Sequence, residues 1–415
     1  MNSRPSADHL DYAESCLGAE SVVTSSKYDT QWMGRASRRK AERRRAPAEP
    51  NRTDRARTDA NGERARNIEI GSLPPEVQKM LRTVARPEYL DEAGRLVGRQ
   101  PVSALFNGWR YVAIGARMVK LPPTTTFNEF LEMLLISDVL TTEWVTEEVA
   151  KPPGQQHPIT RWLLELREVR AGPPVAVDGS VAQFEPTGSA LALLTLAYDV
   201  YSVLHCALLP KRIVKRLKHR NEFQGAKYEI AVAGLFVRAG FTIEWIDDRV
   251  RKRPEFIATH KATGEKLVVE AKSRHRPGVL GRAGSREVSA IKIDLDHLLR
   301  AALHKETDGL PYAIYLDANL PPGAAGTTQP PWIPDVQQMF DERDTPPASA
   351  DPFVGVTITN FSWHYAADAP VTGPTESLLV LPMNPQVPLR DGRTMRLIYE
   401  AALQYGYVPG MFSED

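Results

Sequence analysis

Cysteine is scarce in this chain of 415 residues, since only Cys16 and Cys206 are present. Two cysteines exclude a disulfide framework and a cysteine-rich zinc module, and they agree with a reducing compartment. Long apolar runs are also missing, because the stretch at 190–209 is interrupted by Asp199 and His205. A membrane span needs ~18 or more apolar residues, so we expect none. The N-terminus has no basic segment followed by an apolar one, which predicts no export and a cytoplasmic location.

Several common catalytic motifs are absent as well. The sequence has no Walker phosphate-binding loop, no G-x-S-x-G elbow, no H-E-x-x-H and no dinucleotide-binding fingerprint. Without an ATPase motif, the chain is not an ATP-driven motor by itself. We expect Cys206 to be a buried small residue rather than a nucleophile, because it and His205 are neighbours on a predicted helix and their side chains diverge.

What the chain does contain is the composition of an ordinary globular protein. Hydrophobic residues make up 42% and charged residues 25%, which excludes fibrous, collagen-like and wholly disordered proteins. At roughly 150 residues per domain, the length predicts two or three folded units.

The net charge of +1 is the sum of a strongly basic segment and an acidic remainder of the chain. Residues 33–67 hold twelve Arg or Lys against five acids, while the remaining chain has 40 basic and 46 acidic residues. No apolar period is sustained over this part of the chain, so we predict a disordered basic tail over residues 1–70. The tail has two open interpretations, a nonspecific nucleic-acid-binding arm and a solubilising leader. Met33 is also a candidate start of the chain.

Helix signals prevail from residue 71 to residue 220, which we predict to be a mainly helical domain. The sequence LPPE at 73–76 predicts a helix start with proline in the first turn. The apolar residues at 127–135 repeat at helical spacing, and a further long helix is predicted at 189–209. The stretch at 109–135 predicts a short hairpin that leads into a helix. We expect this domain to serve oligomerisation, partner binding or target sensing.

The end of this region, KRIVKRLKHR at 211–220, has six Lys or Arg and no acid. On a helix, positions 211, 215 and 218 share one face, and positions 212, 216 and 220 line another. The segment is either a stripe that contacts a nucleic-acid backbone or a solvated helix between domains.

Beyond residue 220 helices and strands alternate, which predicts a mixed α/β domain with a partly parallel sheet over residues 221–415. Helices are predicted at 227–239 and 288–304. Strands are predicted at 241–246, 256–260, 266–271, 312–317, 354–359 and 378–381.

Acidic and basic residues stand at the ends of two of these strands. Glu255 opens one, and Glu270 and Lys272 close the next, after buried valines. Alternate strand residues share a face, so Glu270 and Lys272 point the same way. Antiparallel pairing through the turn at Gly264 brings Glu255 near Glu270. Clustered carboxylates suit Mg²⁺, and a lysine beside them can orient or deprotonate water and stabilise charge on a phosphate.

The pattern Pro254-Glu255 followed by Glu270-x-Lys272 resembles the PD-(D/E)XK nuclease superfamily, whose fold is that of restriction endonucleases and junction resolvases. The resemblance covers about residues 223–320 and implies a restriction endonuclease-like mixed sheet flanked by helices. It implies Glu255 and Glu270 as catalytic metal ligands, Glu229 as an auxiliary ligand, and Lys272 as the residue that activates water. The implied cofactor is Mg²⁺, which Mn²⁺ can replace. The family's first acid is usually aspartate, one methylene shorter than Glu255.

A basic loop follows Lys272. Residues 273–286 contain four arginines, three glycines and no acid, which favours a mobile loop that grips phosphate groups. The four arginines are Arg274, Arg276, Arg282 and Arg286. The alternative is a surface loop with solvated arginines, in which His275 is either a plain loop residue or a proton carrier.

These features predict a metal-dependent endonuclease with DNA as the expected substrate. The resemblance also implies a role in bacterial defence against phage or in a mobile element. The alternative is a catalytically inactive protein of the same fold that binds nucleic acid or acts as a scaffold, for which Glu255 is the main support.

Deletion of residues 33–67 tests the basic tail. Each phosphate contact contributes about 0.7 to 0.9 to the slope of log affinity against log salt concentration. If the tail is a nucleic-acid-binding arm, the deletion should weaken binding of a labelled DNA duplex and reduce the magnitude of that slope. Unchanged affinity and slope would leave only the solubilising role.

Overall fold

The computed structural model describes residues 20–22, 75, 101, 103–115, 117–178, 181–246, 252–282, 291–321, 330–343, 350–371 and 375–412. Apart from 20–22, the predicted tail lies outside the described residues, as does all of the predicted helix start at 73–76 except Pro75. The described chain divides into two compact units, a small one with residues 20–22 and 103–123 and a large one with residues 124–412.

The small unit is a four-stranded antiparallel sheet in the order β1-β4-β3-β2. Its strands are β1 (Glu20–Val22), β2 (Ser103–Phe106), β3 (Trp109–Ile114) and β4 (Arg117–Leu121). Asn107 and Gly108 both have positive φ, 49° and 76°, as a two-residue turn between β2 and β3 requires. Strands β2, β3 and β4 lie inside the stretch predicted to be mainly helical, whereas β1 lies inside the predicted tail, and β3 and β4 form the predicted hairpin.

The large unit begins with helices. They are α1 (Phe127–Leu134), α2 (Thr142–Val149), α3 (Pro158–Ala171), α4 (Gly188–Leu204) and α5 (Lys211–Leu217), with a π-helical segment at Leu135–Leu140 and a small hairpin of β5 (Ala176–Asp178) and β6 (Val181–Gln183). A capping box starts α1, in which the Thr126 hydroxyl accepts from Glu129 N and the Glu129 carboxylate accepts from Thr126 N. Helix α4 is buried along almost its whole length and packs against α1, α3 and α6.

The α/β part follows, built on a six-stranded sheet in the order β12-β11-β10-β9-β8-β7. Strands β9, β10 and β11 are parallel, and the other neighbours are antiparallel, which confirms the predicted mixed, partly parallel sheet. The elements in chain order are α6 (Phe223–Arg238), β7 (Phe241–Trp245), β8 (Phe256–His260), β9 (Lys266–Ser273), α7 (Ile291–Leu303), β10 (Tyr312–Asp317), α8 (Ile333–Asp341), β11 (Gly355–Asn360), β12 (Glu376–Val380) and α9 (Arg393–Leu403).

Helices cover both faces of this sheet. The residues of β10 alternate, with Ala313 and Tyr315 packed in the core of α6 and α9, and Ile314 and Leu316 packed in the core of α7 and α8. Strands buried on both faces need apolar side chains at every position, which explains the unbroken run in β10. Of the helices in the described residues, none has both the length and the apolarity to cross a membrane.

A buried ion pair joins α4 to α6. Asp199 Oδ1 lies 2.8 Å from Arg238 Nη2, and the Tyr405 hydroxyl donates to Asp199 Oδ2 at 2.7 Å. The pKa of Asp199 is raised to about 6, chiefly by burial, and Arg238 opposes that shift. Gly234 lets the two helices approach, because a Cβ there would stand 2.8 Å from Asp199 Oδ1.

A second buried polar residue, His157, connects α2, α3 and α6. Its backbone N–H donates to Glu148 Oε2 at 2.9 Å, and its ring Nδ1 accepts from Ile159 N at 3.3 Å. The ring packs edge-on against Trp144 and Phe223. The pKa of His157 is lowered to about 3, chiefly by burial and then by nearby positive charges. The folded protein therefore keeps this ring neutral.

This neutral ring predicts a pH dependence of stability. The ordinary pKa of histidine is 6.5, so between about pH 6.5 and pH 3 the unfolded chain binds a proton here and the folded chain does not. Stability therefore falls as the pH drops through that window. Between pH 7.5 and pH 5, we expect the unfolding free energy of the wild type to fall by about 2 kcal/mol more than that of His157→Gln.

Urea denaturation of both proteins over this pH range measures the difference. His297→Gln is the matched control, because His297 is exposed and is not among the charges that act on the His157 ring. The control should follow the wild type. Parallel curves for the wild type and His157→Gln would contradict the prediction.

Candidate functional site

The β8–β9 hairpin brings together two of the glutamates singled out from the sequence. Phe256 pairs with Val269 in antiparallel register, and Glu255 N donates to Val269 O at 2.9 Å. Glu255 therefore stands across from Glu270, as the turn at Gly264 predicted. The φ of Gly264 is 69°, a conformation that glycine adopts without strain.

Glu270 is the most deeply buried member of the site, with a side chain that is 0% exposed. Its Oε1 lies 2.5 Å from Lys272 Nζ and 3.3 Å from Lys305 Nζ. Burial raises the pKa of Glu270, the Lys272 charge lowers it, and the Glu255 charge raises it. None of the described residues donates a hydrogen bond to Glu270 Oε2.

Two lysines border this carboxylate. Burial is the largest single influence and lowers the pKa of Lys272, but the charges of Glu270, Glu255 and Glu229 and the hydrogen bond to Glu270 together raise it above its ordinary value, so the side chain carries its charge at neutral pH. Lys305 lies just beyond the end of α7, and its Nζ donates to Arg253 O at 2.9 Å. Sequence reasoning missed Lys305, and no local pattern marks it, because its place depends on where α7 ends relative to β8.

Helix α6 adds a third carboxylate, Glu229, which is buried. Its Oε2 accepts from Arg216 Nη1 at 2.8 Å. The pKa of Glu229 is raised to about 7, chiefly by burial and next by the charge of Glu255, while Arg216 opposes the shift. Glu229 therefore lies close enough to Glu255 for the charge of Glu255 to act on it.

The basic helix α5 divides its charges between two faces. On the inner face, Arg212 Nη1 lies 3.7 Å from Glu255 Oε2, and Arg216 pairs with Glu229. On the outer face, Lys211 and Lys215 are exposed. Helical spacing predicted the two faces correctly within Lys211–Leu217, but α5 ends there, so Lys218 and Arg220 are not on its faces as predicted. The spacing did not predict that the arginine face meets the acids.

The side chains of the site are of the chemical type that binds a divalent cation. Three glutamates supply the oxygen ligands that Mg²⁺ prefers, and Glu270 Oε2 is a buried acceptor without a donor. Over the described ranges, no three Asp, Glu, His or Cys side chains converge as a metal-holding group. Each glutamate faces a basic side chain instead, so the three acids are neutralised by the protein itself.

Two arginines of the basic loop are buried rather than solvated. Arg274 is 4% exposed and Arg276 is 3% exposed. Arg274 Nε lies 2.5 Å from Asp294 Oδ2, and Arg276 Nη1 donates to Asn319 O and to the Tyr365 hydroxyl. These contacts anchor the start of the loop to α7 and to the segments after β10 and β11. Nucleic-acid binding by Arg274 and Arg276 stays a prediction.

The described part of the basic loop ends at Arg282. Arg282 is half-buried, and Arg286 lies outside the described residues. The pKa of His275 is lowered to about 4, chiefly by burial and then by the charges of Arg282 and Arg216. Gly225 makes room for this ring, because a Cβ there would stand 2.8 Å from His275 Nε2. A neutral imidazole agrees with either role considered for His275, a loop residue or a proton carrier.

Comparison of the chain with protein-family models, with curated proteins and with solved structures found no match. The function must therefore be inferred from the residues of the site. These residues are three carboxylates on two adjacent strands and a helix, bordered by Lys272, Lys305 and the two α5 arginines.

Proposed function

We propose that the protein is a metal-dependent nuclease that hydrolyses phosphodiester bonds of DNA. The observation that carries the proposal is the placement of Glu270 and Lys272 on β9 and of Glu255 directly before β8, the antiparallel neighbour of β9. One oxygen of the buried Glu270 also lacks a donor among the described residues. A buried carboxylate oxygen without a partner is costly. A divalent cation is the ligand that would offset this cost.

The order of elements supports a restriction endonuclease-like fold for residues 221–415. Helix α6 carries Glu229 and runs through Gly240, with φ of 92°, into β7. The hairpin β8–β9 follows with the two acids, and α7 then connects β9 to the parallel strand β10. The helices before residue 220 are proposed as a partner-binding, oligomerisation or sensing region.

The residues of the site have distinct roles in this proposal. Glu255 and Glu270 would hold Mg²⁺ or Mn²⁺, with Glu229 as an auxiliary ligand. The bound cation would supply charge neutralisation at the phosphate and a more acidic water. Lys272, charged at neutral pH and 26% exposed, would orient the attacking water and stabilise the charge that develops on the phosphate. This equipment is sufficient for phosphodiester hydrolysis.

A second candidate function is a nucleic-acid-binding or scaffold protein without catalysis. It is favoured by the basic partner that each acid already has, above all Arg216 at 2.8 Å from Glu229. The longer side chain of Glu255, where the family usually has aspartate, points the same way. Roles in phage defence or in a mobile element, and a cytoplasmic location, are proposed from the resemblance and the sequence alone.

The cleavage assay tests the nuclease directly. The wild type with Mg²⁺ or Mn²⁺ should cut DNA, and Glu270→Gln or Lys272→Ala should lower the rate by on the order of 100-fold or more, because each removes a group that acts on the reacting atoms. Gel-resolved cleavage of a labelled duplex measures the rates, and circular dichroism verifies the fold.

Lys266→Ala and Glu244→Gln are matched controls, since both residues are exposed on strands of the same sheet. Both should cut like the wild type. If Glu270→Gln and Lys272→Ala cut as fast as these controls, the assignment of the site fails.

The variant Glu255→Asp distinguishes a site that is active with the longer glutamate side chain from a site that has lost its activity. If the site is active with the longer side chain, the shorter acid reaches the metal less well, so both cleavage and Mn²⁺ affinity should fall. Calorimetric titration of Mn²⁺ and the cleavage assay measure the two quantities, with Glu255→Gln as a control that keeps the length and removes the charge. A gain of affinity or activity in Glu255→Asp would favour the non-catalytic alternative.

A further inference from the structure

Two arginines of α5 stand at the border of the acidic cluster. Arg212 and Arg216 face Glu255 and Glu229, and their side chains are 20% and 29% exposed. Both guanidinium groups are thus half-buried and still within reach of a ligand from solvent. Their partners are two of the glutamates proposed to hold the cation.

Each arginine also has a second contact that does not involve those glutamates. Arg212 Nη2 donates to Ile246 O at 3.1 Å, and Arg216 Nε lies 4.0 Å from Glu222 Oε2. Both guanidinium groups would therefore stay near their present positions if the glutamates turned toward a cation. A guanidinium that loses its carboxylate offers its planar set of N–H groups to a phosphate, which binds it in the same paired geometry.

The charges of the site favour such an exchange. Three glutamates face four basic side chains, Arg212, Arg216, Lys272 and Lys305. Glu222 beside Arg216 is a fourth acid, so the four acidic and four basic groups balance when all are ionised, and a divalent cation would leave two positive charges in excess. An anion such as a backbone phosphate would then be attracted to the site, whereas the cation-free site keeps its arginines occupied.

We propose that Arg212 and Arg216 form a phosphate clamp, which the glutamates hold in the cation-free protein and release when a divalent cation binds. This inference rests on the proposed function and names the residues that grip the nucleic-acid backbone. Binding of the cation and binding of nucleic acid are then coupled, and the coupling acts equally in both directions. The cation-free protein is a weak binder of DNA.

Metal titration is the first test. Because the arginines compete with the cation for the glutamates, Arg212→Ala and Arg216→Ala should each bind Mn²⁺ about 5-fold tighter or more in calorimetry, within the range of typical coupling. Lys215→Ala, on the outer face of the same helix, is the matched control and should bind Mn²⁺ like the wild type. Unchanged Mn²⁺ affinity in both arginine variants would overturn the clamp.

DNA binding is the second test, with Ca²⁺ as a cation that replaces Mg²⁺ without supporting cleavage. The wild type and Lys215→Ala should bind a labelled duplex about 10-fold tighter in Ca²⁺ than in EDTA, and Arg212→Ala and Arg216→Ala should lose most of that gain. If the arginine variants lose as much DNA affinity in EDTA as in Ca²⁺, the arginines contact DNA whether or not a cation is bound, and the proposed exchange is wrong.

The Arg216 test needs a second variant. Arg216→Ala leaves the buried Glu229 unpaired, so Arg216→Lys, which keeps a positive charge beside Glu229 but lacks the planar set of N–H groups, is the second variant for DNA binding. Arg212, whose pair with Glu255 is longer, provides an independent test. Failure of the two proposals is distinguishable. If the wild type neither binds Mn²⁺ nor cuts DNA, the proposed nuclease function is wrong. If the wild type is active and the arginine variants bind Mn²⁺ and DNA as the wild type does, only the proposed clamp is wrong.

Discussion

Burial of three carboxylates is the constraint on which the arrangement around the site depends. Moving an ionised carboxylate out of water costs several kcal/mol unless other charges compensate. Glu229, Glu255 and Glu270 find that compensation in basic side chains from α5, from β9 and from the turn after α7. The close approach of α5 to β8, and of the end of α7 to Arg253, thus brings positive charge to the buried acids.

Much of the α/β part could be predicted from the sequence, because its strands are short apolar runs with clear ends. Strands β8 and β10 have the predicted bounds, and α6 begins four residues earlier than predicted. Helices α8 and α9 were not predicted, although their buried residues, such as Val336 with Met339 and Met395 with Ile398, recur at helical spacing. The Glu255–Glu270 pairing followed from strand period and a single turn. Lys305 did not, because nothing near it in the sequence reflects a contact made 35 residues earlier.

The basic loop illustrates why composition alone cannot assign a partner. Four arginines in a glycine-rich stretch are typical of a phosphate-binding surface, yet Arg274 and Arg276 have protein partners. Those partners, Asp294 and Tyr365, lie 20 and 89 residues away. A sequence pattern reports the charge of a segment, whereas the tertiary fold decides whether that charge is met by solvent, by a ligand or by the protein.

The hydrogen bond from Tyr405 to Asp199 has a consequence for how the chain is made. The two residues are 206 positions apart, and Asp199 is buried beside Arg238 near the centre of the large unit. During synthesis, α4 and α6 leave the ribosome long before Tyr405 does, so Asp199 and Arg238 are present before the tyrosine that donates to Asp199. The ion pair can form once α6 has emerged, but Asp199 Oδ2 receives its hydrogen bond only after residue 405 has been made. The polar contacts of this buried carboxylate are therefore completed only after most of the described chain has been translated.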